Sequence, residues 1–513
     1  MEHHGSESYF VLGEGLITES RGGRDAPRVL SSARSAEAAP PFRFSRLGPK
    51  GTGKQLAEAN RRKIAEAMTE GDQANGTIGA GFTYLGQFID HDLTFDKTAL
   101  MEGVDIDPAT LEQGRSPSLD LDCLYGLGPQ DPGSAKFYSD DRHLKVGSAD
   151  GSPSPGFDLP RIGTGNAANK RKALIPDKRN DENLAVAQTH LALIRFHNRV
   201  VDKLPASVPA AQRFAEARKI VTKHYQWMIR TDYLPKICQP TVVTDVFSNG
   251  RKAFEVGADP MSTPTMPIEF AVAAFRLGHA MVRADYKWNA NFPFATLDDL
   301  FDFSGLSGNL GGGQRLPSIW IIDWRRFYNF GVAGRDDLKV PPAELNKAKR
   351  IDTKLVDPLA RLRIDTTEAR KNLAFRNLLR ANMLKLATGQ QMAAFLRSKG
   401  VAAQTLTKAQ IRDGKNGAEL DALTTTQRNG LLVNTPLWFY LLREAELSQG
   451  RLMRVGARIV AETFHRAMEG STHSIVRDNA WRPSLGPNNT TFRMVDLLLF
   501  AFEGKKALLN PNG

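Results

Sequence analysis

The run LAVAQTHLALIRFHNRVVDKL, beginning at Leu184, constrains the fold most. Its apolar residues Leu184, Ala187, Leu191, Ile194 and Val201 recur at helical spacing, so one face is built to lie against a core. A charged cluster, Asp177-Lys178-Arg179-Asn180-Asp181-Glu182-Asn183, leads into it. Asp181 and Glu182 suit a helix N-terminus, where carboxylates meet unsatisfied N–H groups. Arg179 gains nothing there and needs another reason. His190 and His197 on the same helix are expected to satisfy local partners. Helical periodicity returns over 55–68, 210–229, 268–285, 358–362, 370–386, 437–447 and 455–468, whereas few segments alternate with period two. The chain is therefore expected to be mainly α, with long loops, at most short β-hairpins and no internal repeat.

A chain of 513 residues, 41% hydrophobic and 24% charged, can bury a sizeable core and is not wholesale disordered. Its longest apolar runs, such as Val495 to Phe502, are core-sized, too short to cross a bilayer. The start, Met1-Glu2-His3-His4-Gly5-Ser6-Glu7, lacks the apolar middle of a secretory signal. A cytoplasmic location is the default expectation, and export by a route other than Sec would leave no mark to read. Two cysteines, Cys123 and Cys238, make no disulfide scaffold and are expected to be reduced core residues. The formal charge of +12 is spread along the chain without a nucleic-acid motif, so it suits anionic ligands such as carboxylate-bearing cofactors rather than nucleic acid. Residues 1 to about 55 carry no sustained period and read as an arm; the expected division is an N-terminal extension, 1–75, before a main domain, 76–513. Within the arm, Gly48-Pro49-Lys50-Gly51-Thr52-Gly53-Lys54 mimics a phosphate loop. Gln55 follows in place of Ser or Thr and no apolar strand precedes it, so that reading fails on context.

Chemistry is concentrated elsewhere. Gly86-Gln87-Phe88-Ile89-Asp90-His91-Asp92 follows the glycine-rich lead-in Gly76, Gly79, Gly81 and reads as the first turns of a helix. Gln87, Asp90 and His91 then share one face, and Asp92, turned about 100° from His91, addresses something else. The loop-rich region that follows holds Ser116-Pro117-Ser118-Leu119-Asp120-Leu121-Asp122, with hard oxygen donors at alternate positions. An acidic solvated turn is the plainer reading; Asp92, as a further oxygen donor, moves it toward a Ca²⁺ loop. In IEFAVAAFRLGHAMVRAD, His279 follows Gly278, and a small residue beside a histidine lets a flat ligand approach closely. A lone histidine on an apolar helix is nonetheless more often a satisfied core residue.

Together, GQFIDHD (86–92), SPSLDLDCLYG (116–126), DKRNDENLAVAQTHLALIRFHNRVV (177–201), AFRLGH (274–279) and FRNLLR (375–380) resemble the animal-type haem peroxidases, the superfamily of myeloperoxidase and lactoperoxidase, particularly its bacterial members. The resemblance runs from about residue 75 to the C-terminus. It implies the large single-domain helical haem peroxidase fold, with 76–513 as the catalytic domain and haem b as cofactor. By position, His279 would be the proximal iron ligand and His91 the distal histidine, with Gln87 and Arg179 beside it. Asn377 would meet the proximal imidazole, and Arg276 a haem propionate. Asp92, Ser116, Ser118, Asp120 and Asp122 would hold Ca²⁺. Asp90 and Glu182 match the carboxylates that esterify the haem in mammalian members; whether they do so depends on geometry and peroxide turnover. The implied activity is reduction of hydrogen peroxide through a ferryl and porphyrin-radical intermediate, with oxidation of halides, pseudohalides or small phenolic donors. Asn183 stands where myeloperoxidase has the methionine of its sulfonium link, so that bond cannot form, and the mammalian disulfides are missing. The rival within the superfamily, a fatty-acid dioxygenase, needs a tyrosine three residues before the proximal histidine, where this chain has Arg276. A haem- or calcium-binding protein without turnover would have little use for Arg179 and Gln87 beside His91.

Overall fold

The computed structural model describes residues 42–52, 56–71, 73–96, 105–152, 156–363 and 367–513, and the backbone of 17–18 and 100–101. The helices used below are α1 (Glu58–Thr69), α2 (Gly81–Leu93), α3 (Leu184–Lys203), α4 (Arg213–Met228), α5 (Leu373–Met383), α6 (Leu437–Glu446) and α7 (Arg454–Glu469). Helix α3 lies where its apolar period placed it. Asn183 caps it by accepting a hydrogen bond from the Val186 N–H, and Leu184, Leu191, Ile194 and Val201 are all buried. Each such side chain contributes about 1.5–3 kcal/mol on leaving water. α3 packs against α2 on one side and α4 on the other, so the helix carrying His91 is held at the centre of one continuous core.

Two expectations are corrected. The stretch 86–92 forms the last turns of α2, not the first, because the helix begins at Gly81. Gly81 of the glycine-rich lead-in and Gly86 of the motif are points of close approach: a Cβ on Gly81 would meet the Tyr328 ring at 2.2 Å, and one on Gly86 the Tyr233 hydroxyl at 2.2 Å. Residues 268–285 do not form one helix. A single α-turn, Ile268–Ala271, ends where Ala273 leaves the helical region (φ −137°, ψ −72°), and Ala274–Met281 continue as 3₁₀ turns. Three residues per turn place Arg276 and His279 one above the other on the same side. Elsewhere the expected helices appear with shifted ends. The stretch 358–362 is a 3₁₀ turn, Asp357–Ala360, and the helix expected over 210–229 continues through a π turn to Ile237. The stretch 370–386 is divided at Asn372, which caps α5 by accepting from the Phe375 N–H.

Strands are short, and several pair over long distances rather than as hairpins. Phe42–Ser45 runs antiparallel to Glu112–Gln113 and parallel to Met266–Pro267, while Asn75–Gly79 pairs with Lys347–Lys349. Gly48 and Gly51 of the phosphate-loop mimic donate backbone N–H bonds to Glu269 and to the Lys385 carbonyl; Gly53 and Lys54 lie outside the described residues. Cys123 and Cys238 are buried free thiols, and no helix among the described residues is long and apolar enough to cross a membrane.

One buried acid makes stability depend on pH. Burial pushes Glu444 on α6 up to about 8, opposed by the Gly456 N–H. The folded state thus holds a proton that the unfolded chain releases near pH 4.5. This stabilisation is complete below that pH and is lost as pH rises toward 8. Glu444→Gln is expected to raise Tm at pH 8 and to change it little at pH 4, as differential scanning calorimetry would show.

Candidate active site

Helix α2 delivers Gln87, Asp90, His91 and Asp92, all buried. The His91 side chain is fully enclosed. Its Nδ1–H donates to Asn180 Oδ1 at 2.9 Å, which leaves the lone pair on Nε2. That atom is buried without a hydrogen-bond partner, 3.7 Å from Glu182 Oε1. Burial and then the Arg179 guanidinium push the imidazole down to about 3, so His91 is a neutral base at ordinary pH.

Residues 177–183 supply the wall opposite α2. Arg179 Nη2 donates to the His91 backbone oxygen at 3.0 Å. Asp177 grips the same guanidinium at two points, 3.1 Å at Nε and 2.7 Å at Nη2, and also takes Arg115 at 2.7 Å. Burial works against the Asp177 carboxylate, but the two guanidinia hold it well below the usual range. Arg179 is therefore fixed as a charge beside the histidine, the reason that a helix N-terminus could not provide. Gln87 joins the same wall: its amide donates to Glu182 Oε1 and accepts from Asn183 Nδ2 at 3.0 Å.

Asn377 on α5 turns its amide to His279 Nδ1 at 2.8 Å, nitrogen first. An imidazole whose Nε2 faces a metal carries its proton on Nδ1, and a half-turn of the amide then presents the matching oxygen. A Cβ on neighbouring Gly278 would meet nothing within 4 Å, so the backbone beside His279 borders open space. Helix α2 packs on this 3₁₀ segment, with Thr83 Oγ1 donating to the Met281 carbonyl at 3.2 Å.

Arg276 and Arg380 line a cavity of about 20 Å³ with Thr94 and Asp96, and Arg380 is ion-paired to Asp96. Asp90 accepts from Thr94 Oγ1 at 3.1 Å; burial raises its proton affinity, partly offset by Arg276 and Arg179. The cavity thus collects cations near an acid, an arrangement that suits a ligand bearing carboxylates.

The acidic loop is only partly gathered. Asp92 and Asp122 face each other closely enough that, beyond the effect of burial, Asp122 raises the proton affinity of Asp92, while Arg115 works the other way on Asp122. Asp92 Oδ2 and Asp122 Oδ1 are both buried without a hydrogen-bond partner. Asp120 instead accepts from the Ser471 hydroxyl at 2.6 Å and the Thr472 N–H. Ser118 Oγ donates to the Gly470 carbonyl, and Ser116 Oγ accepts from the Ser118 N–H. Among the described residues no cluster of three or more His, Cys, Asp or Glu side chains is placed to hold a metal. Of the two other histidines on α3, His197 is satisfied as expected, by the Tyr125 hydroxyl and the Arg142 carbonyl. His190 is not: both ring nitrogens are buried without a hydrogen bond, and burial pushes it down to about 3.

Sequence reasoning passed over Asn180, Asp177, Asp96 and Arg380 as site residues. Arg380 does sit three residues after Asn377 within a quoted motif, on the same face of α5. Asn180 and Asp177 carry no signal beyond their nearness to Arg179.

Solved structures share this architecture. Peroxidase A from Dictyostelium discoideum superposes with TM-score 0.60 at 16% identity, over 92% of this chain and 94% of that one. A fatty acid alpha-dioxygenase from Arabidopsis thaliana superposes with TM-score 0.58 at 12% identity, over 92% and 76%. At these identities the likeness defines the mainly helical peroxidase fold. Residues 107–298 match the family model described as animal haem peroxidase. The matched segment holds the acidic loop, Arg179 and His279; α2 and Asn377 lie outside it. Thyroid peroxidase of Canis lupus familiaris is 29% identical over 216 residues, 38% of this chain and 22% of that protein. Peroxidase mlt-7 of Caenorhabditis elegans is 33% identical over 107 residues, 20% of this chain and 14% of that protein. The chain thus spans about a fifth or less of the length of these relatives.

Proposed function

We propose that the chain is a haem peroxidase that reduces hydrogen peroxide and oxidises halides, pseudohalides or small phenolic donors. One observation carries the reading: His91 is enclosed, neutral, pinned at Nδ1 by Asn180, and left with a bare Nε2. His279, backed by Asn377 and bordering open space at Gly278, is the residue that would hold the haem iron. Arg276 and Arg380, across their shared cavity, would meet the haem propionates. Haem bound there would supply the redox centre at which peroxide is reduced.

The chain's own groups manage the proton. His91 Nε2 takes it from the peroxide oxygen that is to be bound and returns it to the oxygen that leaves as water. Asn180 keeps the proton on Nδ1, so the receiving atom is always Nε2. Arg179, held by Asp177, disfavours an imidazolium before peroxide arrives and stabilises negative charge as the O–O bond opens. Gln87, fixed between Glu182 and Asn183, bounds the space in which peroxide and a small donor sit.

Asp90 and Glu182 are the carboxyls available for ester links to the haem, and haem retained on a denaturing gel after peroxide treatment would register them. Asp92 and Asp122, with two bare buried oxygens, are the core of a Ca²⁺ site to which Ser116, Ser118 and Asp120 would contribute. The dioxygenase reading shares the fold, but Arg276 occupies the position its radical tyrosine requires. The test is guaiacol and iodide oxidation by the haem-reconstituted protein with hydrogen peroxide. Wild type is expected to turn over and Arg179→Ala to be impaired; an Arg179→Ala variant as active as wild type would reject the role given to the guanidinium.

A further inference from the structure

A series of aromatic residues, linked by ring contacts and hydrogen bonds, runs from α2 to Trp320, which lies just beneath the surface. Tyr84 lies two turns before His91 on α2, beside Thr83, which is bonded to the segment carrying His279. Its hydroxyl donates to Tyr286 at 2.7 Å. The Tyr286 ring stacks on Phe327 (5.8 Å between centroids, 14°), and Phe327 meets Trp288 edge-on at 5.4 Å. Trp288 donates its indole N–H to the Trp320 carbonyl at 2.8 Å. Trp320 ends the series between two rings, Phe292 at 3.8 Å and Phe303 at 4.0 Å. Tyr84, Tyr286, Phe327 and Trp288 are buried, and Trp320 is nearly so, at 5% exposed. Phe292 and Phe303 are half-buried, while Phe294 (68% exposed) and Ile319 (49% exposed) flank the sandwich.

We propose that Trp320 is a second oxidation site, reached from the haem compartment through Tyr84, Tyr286, Phe327 and Trp288, at which phenols too large to enter that compartment are oxidised one electron at a time. The proposal rests on the peroxidase reading. Electronic coupling falls steeply with distance, so the ring contacts and hydrogen bonds divide one long transfer into shorter steps between the oxidisable Tyr84, Tyr286, Trp288 and Trp320, with Phe327 as a bridge between Tyr286 and Trp288. The two stacked π faces favour the positive charge of an oxidised indole. Each hydrogen peroxide takes two electrons and two protons to become two waters. Two phenols at the surface supply them, each passing one electron to oxidised Trp320 and its hydroxyl proton to water. Phe294 and Ile319 offer apolar surface on which a phenol ring can lie.

The experiment uses the haem-loaded protein with hydrogen peroxide, a nitroso spin trap, guaiacol as the small donor and dextran-coupled tyramine as the large one. Peptide mass spectrometry is expected to find the trap on Trp320. Trp320→Phe and Tyr286→Phe, which keep the ring packing, are expected to retain guaiacol oxidation and lose dextran-tyramine oxidation. Trp324→Phe, off the series, is expected to change neither. Dextran-tyramine oxidation at the wild-type rate by both Trp320→Phe and Tyr286→Phe would overturn the proposal, as would absence of the adduct in a wild type that oxidises guaiacol normally. A wild type that oxidises neither donor would overturn the peroxidase reading, and this proposal with it.

Discussion

His91→Ala is expected to slow reduction of hydrogen peroxide by about 10²–10⁴-fold, the range that a positioned general acid–base group supplies. Haem uptake should survive, because the residue that would bind iron is on another segment. The loss follows from removing a buried base whose bare lone pair lies between α2 and residues 177–183. Glu182 Oε1 is 3.7 Å from that atom, but it is engaged by Gln87 and cannot take over both halves of the proton transfer. Stopped-flow mixing with peroxide, followed by the haem absorbance, reads the rate directly. A variant within a factor of about three of wild type, too small for a lost proton shuttle, would remove His91 from the mechanism.

The second large effect concerns Asp92 and Asp122. Their carboxyls are buried and face each other, each with an oxygen that nothing satisfies. Ca²⁺ would turn this liability into the clamp that holds the end of α2. A cation binding only the folded state stabilises it by about 2.7 kcal/mol at a hundred times its Kd. Calorimetry is expected to show a higher Tm in Ca²⁺ than in chelator. Asp122→Asn should reverse sign between the two conditions: more stable than wild type in chelator, where a buried like charge is relieved, and less stable in Ca²⁺, where a ligand is lost. A wild-type Tm indifferent to Ca²⁺ would dismiss the site.

These sites show what a sequence can and cannot disclose. Helix α3 was legible because its apolar period is local and nothing in the tertiary structure opposes it. GQFIDHD reads as helical, but its place in the last turns of the helix is not legible from the sequence. Gly81 reads as part of a lead-in until Tyr328 is seen pressing on it from elsewhere in the chain. The period through 268–285 suggested one helix, yet 3₁₀ turns with a break at Ala273 satisfy the same apolar pattern and stack Arg276 over His279. Asn180 and Asp177 act through side-chain partners that no spacing rule encodes. Asp120 is drawn to Ser471 and Thr472, and Arg380 to Asp96, contacts between residues hundreds of positions apart. The sequence motifs resembling the peroxidase family marked where the chemistry would gather; the orientation of each group came only with the fold.

The central claim is that one haem sits between His279 and His91. It is tested most directly by titrating the purified protein with haem and following the Soret absorption and the ferric electron paramagnetic resonance signal, with His279→Ala and His91→Ala in parallel. Wild type and His91→Ala are expected to saturate at one haem with a histidine-ligated spectrum, while His279→Ala loses that ligation. A His279→Ala protein that binds haem with the wild-type spectrum would contradict the assignment of the iron ligand and, with it, the account of the site.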